Sequence, residues 1–183
     1  MRKKVKKTPL VIINSPTATG KTKLAIELAL EFQGEIINAD SLQVYRYLDI
    51  GTAKPTPQQR QAVKHHLIDI VDPDEEYNAA LFAQHARVVI NNLGKLKKPV
   101  FVVGGTGLYI KALLRGIIAT PPVDQTIRNH YRSLRDSRGK PYLFDLLQKR
   151  DPVAAGKINP NDSVRVIRAL EVLDQTGESI AVM

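Results

Sequence analysis

The sequence predicts an α/β fold, a parallel sheet flanked by helices, followed by a shorter helical and basic segment. Three observations carry that expectation. Short apolar runs alternate with helix-periodic stretches as far as Gly116, the pattern of parallel strands joined by right-handed helical crossovers. Three polar segments, 15–22, 40–43 and 104–107, each follow a predicted strand, and such sheets bind ligands beyond the carboxyl ends of their strands. Beyond Gly116 the strand signals stop and arginines accumulate. The expected division is residues 1–120 for the α/β core and 121–183 for the helical segment.

Each element has its own reason. Leu10-Val11-Ile12-Ile13, behind Pro9, is an apolar run suited to a strand buried on both faces. Residues 21–32 place Leu24, Ala25, Leu28, Ala29 and Phe32 at helical spacing, and Gly34 closes the helix. Glu35-Ile36-Ile37-Asn38 reads as a second strand. Residues 42–61 show no periodicity and contain Gly51, Pro55 and Pro57, so a long loop is expected. Residues 65–71 suggest a third strand, 78–93 a helix, 99–103 the clearest buried strand, and 108–114 another helix. After the break at Pro121-Pro122 the chain turns helical. Arg128, Arg132 and Arg135 fall at i, i+4 and i+7 on one face. Asn161-Asp162 caps a last helix with Val164, Ile167, Leu170 and Leu173 on its apolar side.

Composition narrows the function. At 183 residues, with 43% hydrophobic and 25% charged residues, the chain supports one well-buried α/β core but not two sizeable domains. The absence of cysteine excludes disulfides, thiolate zinc sites and cysteine nucleophiles, and fits a reducing compartment. A net charge of +9 points to an anionic partner, although part of it sits in residues 1–7, read as a solvated tail. The apolar run at 10–13 is too short for a signal segment or a membrane span. A cytoplasmic protein with no membrane partner is therefore expected.

Ser15-Pro16-Thr17-Ala18-Thr19-Gly20-Lys21-Thr22 stands between a predicted strand and a predicted helix. It matches the phosphate-binding loop except that Ser15 replaces the opening glycine. In such a loop, successive N–H groups and a helix N-terminus surround phosphate oxygens while Lys21 neutralises charge and the Thr22 hydroxyl ligates Mg²⁺. The fold is accordingly expected to be P-loop NTPase-like and nucleotide- or diphosphate-binding. Serine suits the first position if its φ is negative. Two chemistries stay open on these residues. A kinase would bind ATP and use an aspartate after a strand, for which Asp69 is placed. Another class would hold a diphosphate as leaving group.

Four further segments, in order, carry a resemblance: INADSLQVYRYLDIGTAKP (37–55), HHLIDI (65–70), GGTGLYIKALLRG (104–116) and DPVAAGKINPNDSVRVIRALEV (151–172). Together with the phosphate loop they resemble the tRNA dimethylallyltransferases, or tRNA isopentenyltransferases, through nearly the whole chain. The resemblance implies transfer of a dimethylallyl group from dimethylallyl diphosphate to the exocyclic amine of an adenosine beside the tRNA anticodon. It implies Asp40 as the catalytic base and Thr106 as a catalytic residue near the reacting nucleotide. Asp40, Ser41, Leu42, Gln43 and Thr106 are implied to contact tRNA, with Arg128, Arg165 and Arg168 in a helical tRNA-binding insertion. Mg²⁺ on Thr22 is the implied cofactor, and a monomer working on tRNA is expected. His65 and His66 read as structural, while Tyr45 and Tyr109 are placed either to stack on a base or to pack at a core edge. Family members continue by about a domain's length beyond the segment matching 176–180, so the chain reads as a fragment, a truncated product or a short form. The alternatives are a P-loop small-molecule kinase or an inactive tRNA- or diphosphate-binding form.

Overall fold

A computed structural model describes residues 9–16, 19–117 and 120–183. The tail at 1–7, with Thr17 and Ala18 of the phosphate loop, lies outside the described residues. Four parallel strands form one sheet in the order β1-β4-β2-β3: β1 (Leu10–Asn14), β2 (Glu35–Asn38), β3 (His65–His66) and β4 (Val100–Gly104). Their connections contain α1 (Lys21–Glu31), α2 (Pro57–Ala62) and α3 (Ala79–Lys95), and α4 (Gly107–Arg115) follows β4.

Period-two alternation assigns the two sheet faces. Ile36, Phe101 and Val103 pack with Ala25, Ile26 and Ala29 of α1. Ile37, Val100 and Val102 pack with Phe82, Ala83 and Leu93 of α3 and with Tyr109 and Leu113 of α4. All five residues of β4 are buried, because the strand lies between β1 and β2 with helices on both faces. This is why its sequence is an unbroken apolar run.

Two expectations about residues 42–71 need correction. The loop expected over 42–61 contains α2, whose Thr56 and Gln59 form a capping box behind Pro57. No residue of this one-and-a-half-turn helix is buried, so apolar periodicity had nothing to report. The strand expected over 65–71 stops after His66, because Leu67 and Asp69 take φ of 59° and 53°. Among the described residues, an isolated bridge between Tyr45 and Val71 is all that continues it. Lys54 explains the turn. Its Nζ, on a side chain 3% exposed, donates to the Tyr45 carbonyl (2.7 Å), Asp49 Oδ1 (2.8 Å) and Asp69 Oδ1 (2.6 Å). All three ammonium protons are thereby placed, and the segment after Asp40 folds around them.

The chain divides into two compact units, residues 1–117 and 118–183. The second contains α5 (Gln125–Arg150), α6 (Pro152–Ala155) and α7 (Ser163–Thr176). Gly139, at φ 87°, breaks α5 into two helical stretches, with Pro141 beginning the second. Tyr131, Leu143, Leu147, Ala154, Val166, Ile167 and Leu170 form its core. Val164, expected on the apolar side of α7, is instead 75% exposed; Val166, Ile167, Ala169, Leu170 and Val172 are buried. Asp162 caps α7 by accepting from the Arg165 N–H at 3.1 Å.

Candidate active site

The phosphate loop leaves β1 and enters α1. The φ of Ser15 is not positive, so the position makes no demand that only glycine meets. Thr19 Oγ1 donates to the Pro16 carbonyl at 2.9 Å, so Ser15 Oγ is the donor in its 2.5 Å contact with Thr19 Oγ1. Gly20, at φ 82°, turns the chain into the helix and places Lys21 and Thr22 on its first turn. Lys21 Nζ donates to the Pro16 carbonyl at 3.1 Å. That neutral acceptor is one an anionic oxygen would displace, since charge-assisted bonds are the stronger.

Asp40 lies just beyond β2. Its Oδ1 accepts from the Leu42 N–H at 2.9 Å and the Gln43 N–H at 3.4 Å, which fixes the carboxylate on its own turn. Oδ2 has no hydrogen-bond partner among the described residues. Gly104 brings β4 against this turn: a Cβ there would stand 2.1 Å from the Ala39 carbonyl oxygen, an overlap with main chain. Thr106 completes the attachment. Its N–H donates to the Ala39 carbonyl at 3.2 Å, and its Oγ1 accepts from the Ser41 N–H at 2.9 Å and donates to Ser41 Oγ at 3.2 Å.

These segments meet at the carboxyl edge of the sheet, around a small open cleft whose polar lining includes Lys21, Thr22, Asn38, Asp40, Gln43 and His65. Of the residues singled out in the sequence, Lys21, Thr22, Asp40 and Gln43 line it directly. Ser15, Pro16, Thr19 and Gly20 form the described part of the loop. Ser41 and Thr106 hold the Asp40 turn in place, so the Thr106 hydroxyl is engaged in structure. Gln43 is 8% exposed and donates Nε2 to the Thr52 and Ala53 carbonyls at 2.9 and 3.1 Å, whereas Leu42 is 53% exposed.

Two of the three arginines expected to contact tRNA are engaged within the second unit. Arg128 donates Nε and Nη2 to Glu171 Oε2 at 3.1 and 2.9 Å. Arg168 donates Nη1 to Glu171 Oε1 at 2.5 Å and Nη2 to Thr120 Oγ1 and the Pro121 carbonyl at 2.8 and 2.6 Å. The cause is Glu171, a carboxylate with 0% exposure that requires cationic partners. Arg165 stays open: its side chain is 73% exposed and pairs only at 3.3 Å with Asp162. Tyr109 is likewise core, 4% exposed and stacked on Phe82 at 4.6 Å, and burial pushes its hydroxyl up to about 12. Asp69, the kinase-type candidate, is held between Lys54 and Arg60. Burial acts to raise its pKa, but the bonds from those two cations prevail and hold it below the usual value.

Sequence reasoning passed over Asn38 and undervalued His65. Asn38 occupies the last position of β2, two before Asp40, and donates Nδ2 to the Leu67 carbonyl at 3.0 Å. The adjacent histidines divide their work. His66 Nε2 meets Glu35 at 2.7 Å on one face, and His65 lines the cleft on the other. The alternation of a strand was the available signal. Among the described residues, no group of three or more histidine, cysteine or acidic side chains is arranged to hold a metal. The Thr22 hydroxyl with phosphate oxygens suits Mg²⁺, which takes few protein ligands. Nor, among those residues, is any helix long and apolar enough to cross a membrane.

A protein-family model described as IPP transferase matches residues 43–183. The chain belongs to the IPP transferase family. A tRNA dimethylallyltransferase 2 from Syntrophus aciditrophicus is 55% identical, over 96% of this chain and 57% of that protein. The crystal structure of the tRNA isopentenylpyrophosphate transferase of Bacillus halodurans is 44% identical, with TM-score 0.60 over 94% of this chain and 57% of that one. A eukaryotic dimethylallyltransferase acting on tRNA is 34% identical, with TM-score 0.75 over 93% of this chain and 43% of that one. This member of the IPP transferase family thus has the P-loop NTPase-like fold expected from its sequence, and spans between 43% and 57% of the length of these three relatives.

Proposed function

We propose that the chain carries the catalytic core of a tRNA dimethylallyltransferase. One observation supports this most: Asp40 faces the same cleft as Lys21 and Thr22, in a member of the IPP transferase family. A base for the acceptor and an electrophilic cradle for the leaving group then act on one reaction. The adenosine amine lone pair forms a C–N bond to C1 of the dimethylallyl group as the C1–O bond breaks. The bonding electrons leave with diphosphate, and Asp40 Oδ2 takes the amine proton. Lys21 and the N–H groups at the start of α1 hold the charge that develops on the diphosphate. Bound Mg²⁺, with Thr22 as its protein ligand, would supply further charge neutralisation. Thr106 positions Asp40 through Ser41, and exposed Leu42 and Arg165 are open to tRNA. Such an enzyme meets its tRNA in the cytoplasm and works as a monomer.

A kinase is less well supported, because Lys54 and Arg60 already engage Asp69. Incubation with labelled dimethylallyl diphosphate and an unmodified tRNA reading codons that begin with U tests the proposal. Label is expected in the tRNA without ATP, and Asp40→Asn should lower the rate about 100- to 10,000-fold while tRNA still binds. Absence of transfer by the protein, or an unimpaired Asp40→Asn variant, overturns the mechanism. Preferred transfer to free AMP, or phosphoryl transfer from ATP, replaces it with another activity.

A further inference from the structure

His65 brings to the cleft a buried acceptor that no described residue uses. Its Nδ1 lies 2.8 Å from the Val63 carbonyl, which only accepts, so Nδ1 carries the proton and Nε2 presents a lone pair. Nε2 is buried and has no hydrogen-bond partner among the described residues. Burial, reinforced by the nearby charges of Arg60 and His66, lowers the ring's pKa against the opposing Val63 bond and favours this neutral form. Pairing of His65 with Ile36 turns the ring toward the α1 face of the sheet, the face from which Thr22 and Ala25 reach the cleft.

The surrounding polar groups sharpen the point. Asn38 donates one of its two amide N–H groups to the Leu67 carbonyl, and Gln43 donates both of its own to the Thr52 and Ala53 carbonyls. Their side-chain oxygens, Asp40 Oδ2 and His65 Nε2 are all acceptors. Of these, His65 Nε2 is the one that is buried without a partner among the described residues, and because an unpaired buried acceptor is costly it calls for a guest that donates. A hydrated divalent cation is such a guest, because Mg²⁺ retains several waters whose O–H groups point outward.

We propose that His65 is a positioning residue for the hydrated cation of a Mg²⁺–diphosphate complex, with Nε2 accepting a hydrogen bond from a metal-bound water. The inference rests on reading the cleft as a diphosphate site. It assigns to His65 the outer-shell contact that orients a bound metal, worth about 10-fold in metal affinity or more.

Two substitutions separate this from a structural role. In His65→Asn the amide N–H can keep the Val63 bond while the acceptor at Nε2 is lost. In His65→Gln an oxygen can replace Nε2 while the Val63 bond is lost. The probe is inorganic diphosphate, titrated calorimetrically onto the 183-residue chain with and without Mg²⁺, below each variant's melting temperature. The expected result is a half-saturating Mg²⁺ concentration about 10-fold higher in His65→Asn and nearly unchanged in His65→Gln, with Mg²⁺-free diphosphate binding alike in all. An unchanged His65→Asn response, or a defect confined to His65→Gln, overturns the inference alone. Absence of Mg²⁺-dependent diphosphate binding by the unsubstituted chain removes the diphosphate reading itself, and the inference with it.

Discussion

Replacing Glu171 by alanine should remove about 3 kcal/mol from the stability of the helical unit. The figure follows from the bonds lost. Glu171 Oε2 accepts twice from Arg128, and Oε1 accepts from Arg168 and from the Asp124 N–H at 3.2 Å. Removing one member of a buried ion pair costs about 3–5 kcal/mol, because the remaining charge is left unpaired. The Arg128 and Arg168 side chains are 23% and 21% exposed, so each regains some hydration and the lower end of that range applies. Arg168→Ala should be of similar size. Arg165→Ala should change stability by less than about 0.5 kcal/mol, because an exposed ion pair contributes little. Urea unfolding followed by far-ultraviolet circular dichroism measures all three. A loss below about 1 kcal/mol for Glu171→Ala, or equal losses for Arg165→Ala and Arg168→Ala, would refute the assignment of Arg128 and Arg168 to the interior.

Gly104→Ala should destabilise the first unit by about 3 kcal/mol, since its Cβ would overlap the Ala39 carbonyl at 2.1 Å and main chain must move to admit it; calorimetric melting at or above the unsubstituted value would contradict this. Acid should weaken the same unit through Glu35. Burial alone would raise that carboxyl, but hydrogen bonds from Lys98 and His66 outweigh it and hold the pKa below its ordinary value of 4.5. A depressed folded-state pKa gives stability that is present above the unfolded value and lost as pH falls through the folded one. Unfolding free energy should therefore decline below about pH 4.5, and Glu35→Gln should flatten that decline at a cost of about 1–2 kcal/mol at neutral pH; identical pH profiles would remove Glu35 from the account.

The sheet was legible because its chemistry is local. Val100 to Val103 must be apolar at every position when both faces are covered, and a run of that kind announces a central parallel strand without knowledge of its neighbours. Residues 40–72 were less legible because Lys54 governs their path. A lysine read alone suggests a solvated side chain, and only the convergence of the Tyr45 carbonyl, Asp49 and Asp69 makes it interior. The third strand failed for the same reason. His65 to Val71 has strand composition, yet Asp69 is drawn to Lys54 and Arg60 and the backbone turns to let it go.

The candidate site divides along the same physical line. Gly20, Lys21 and Thr22 announce themselves because a phosphate cradle is built from consecutive residues at a helix start, where spacing carries the geometry. The segments of Asp40 and Thr106 were located by the strand pattern, but their roles needed a resemblance, since their meeting depends on Gly104 admitting β4 to within contact of Ala39 and on the Ser41 N–H donating to Thr106 Oγ1, 65 residues away. The arginines mark where spacing stops informing. Positions i, i+4 and i+7 place Arg128, Arg132 and Arg135 on one helix face, but Arg128 is engaged by Glu171, 43 residues beyond it, and Arg135 by its neighbour Asp136. The same three arginines would read identically above a tRNA phosphate. What spacing cannot report is a carboxylate buried opposite: Glu171 engages Arg128 and, from its own helix, Arg168, while Arg165 stays exposed to solvent.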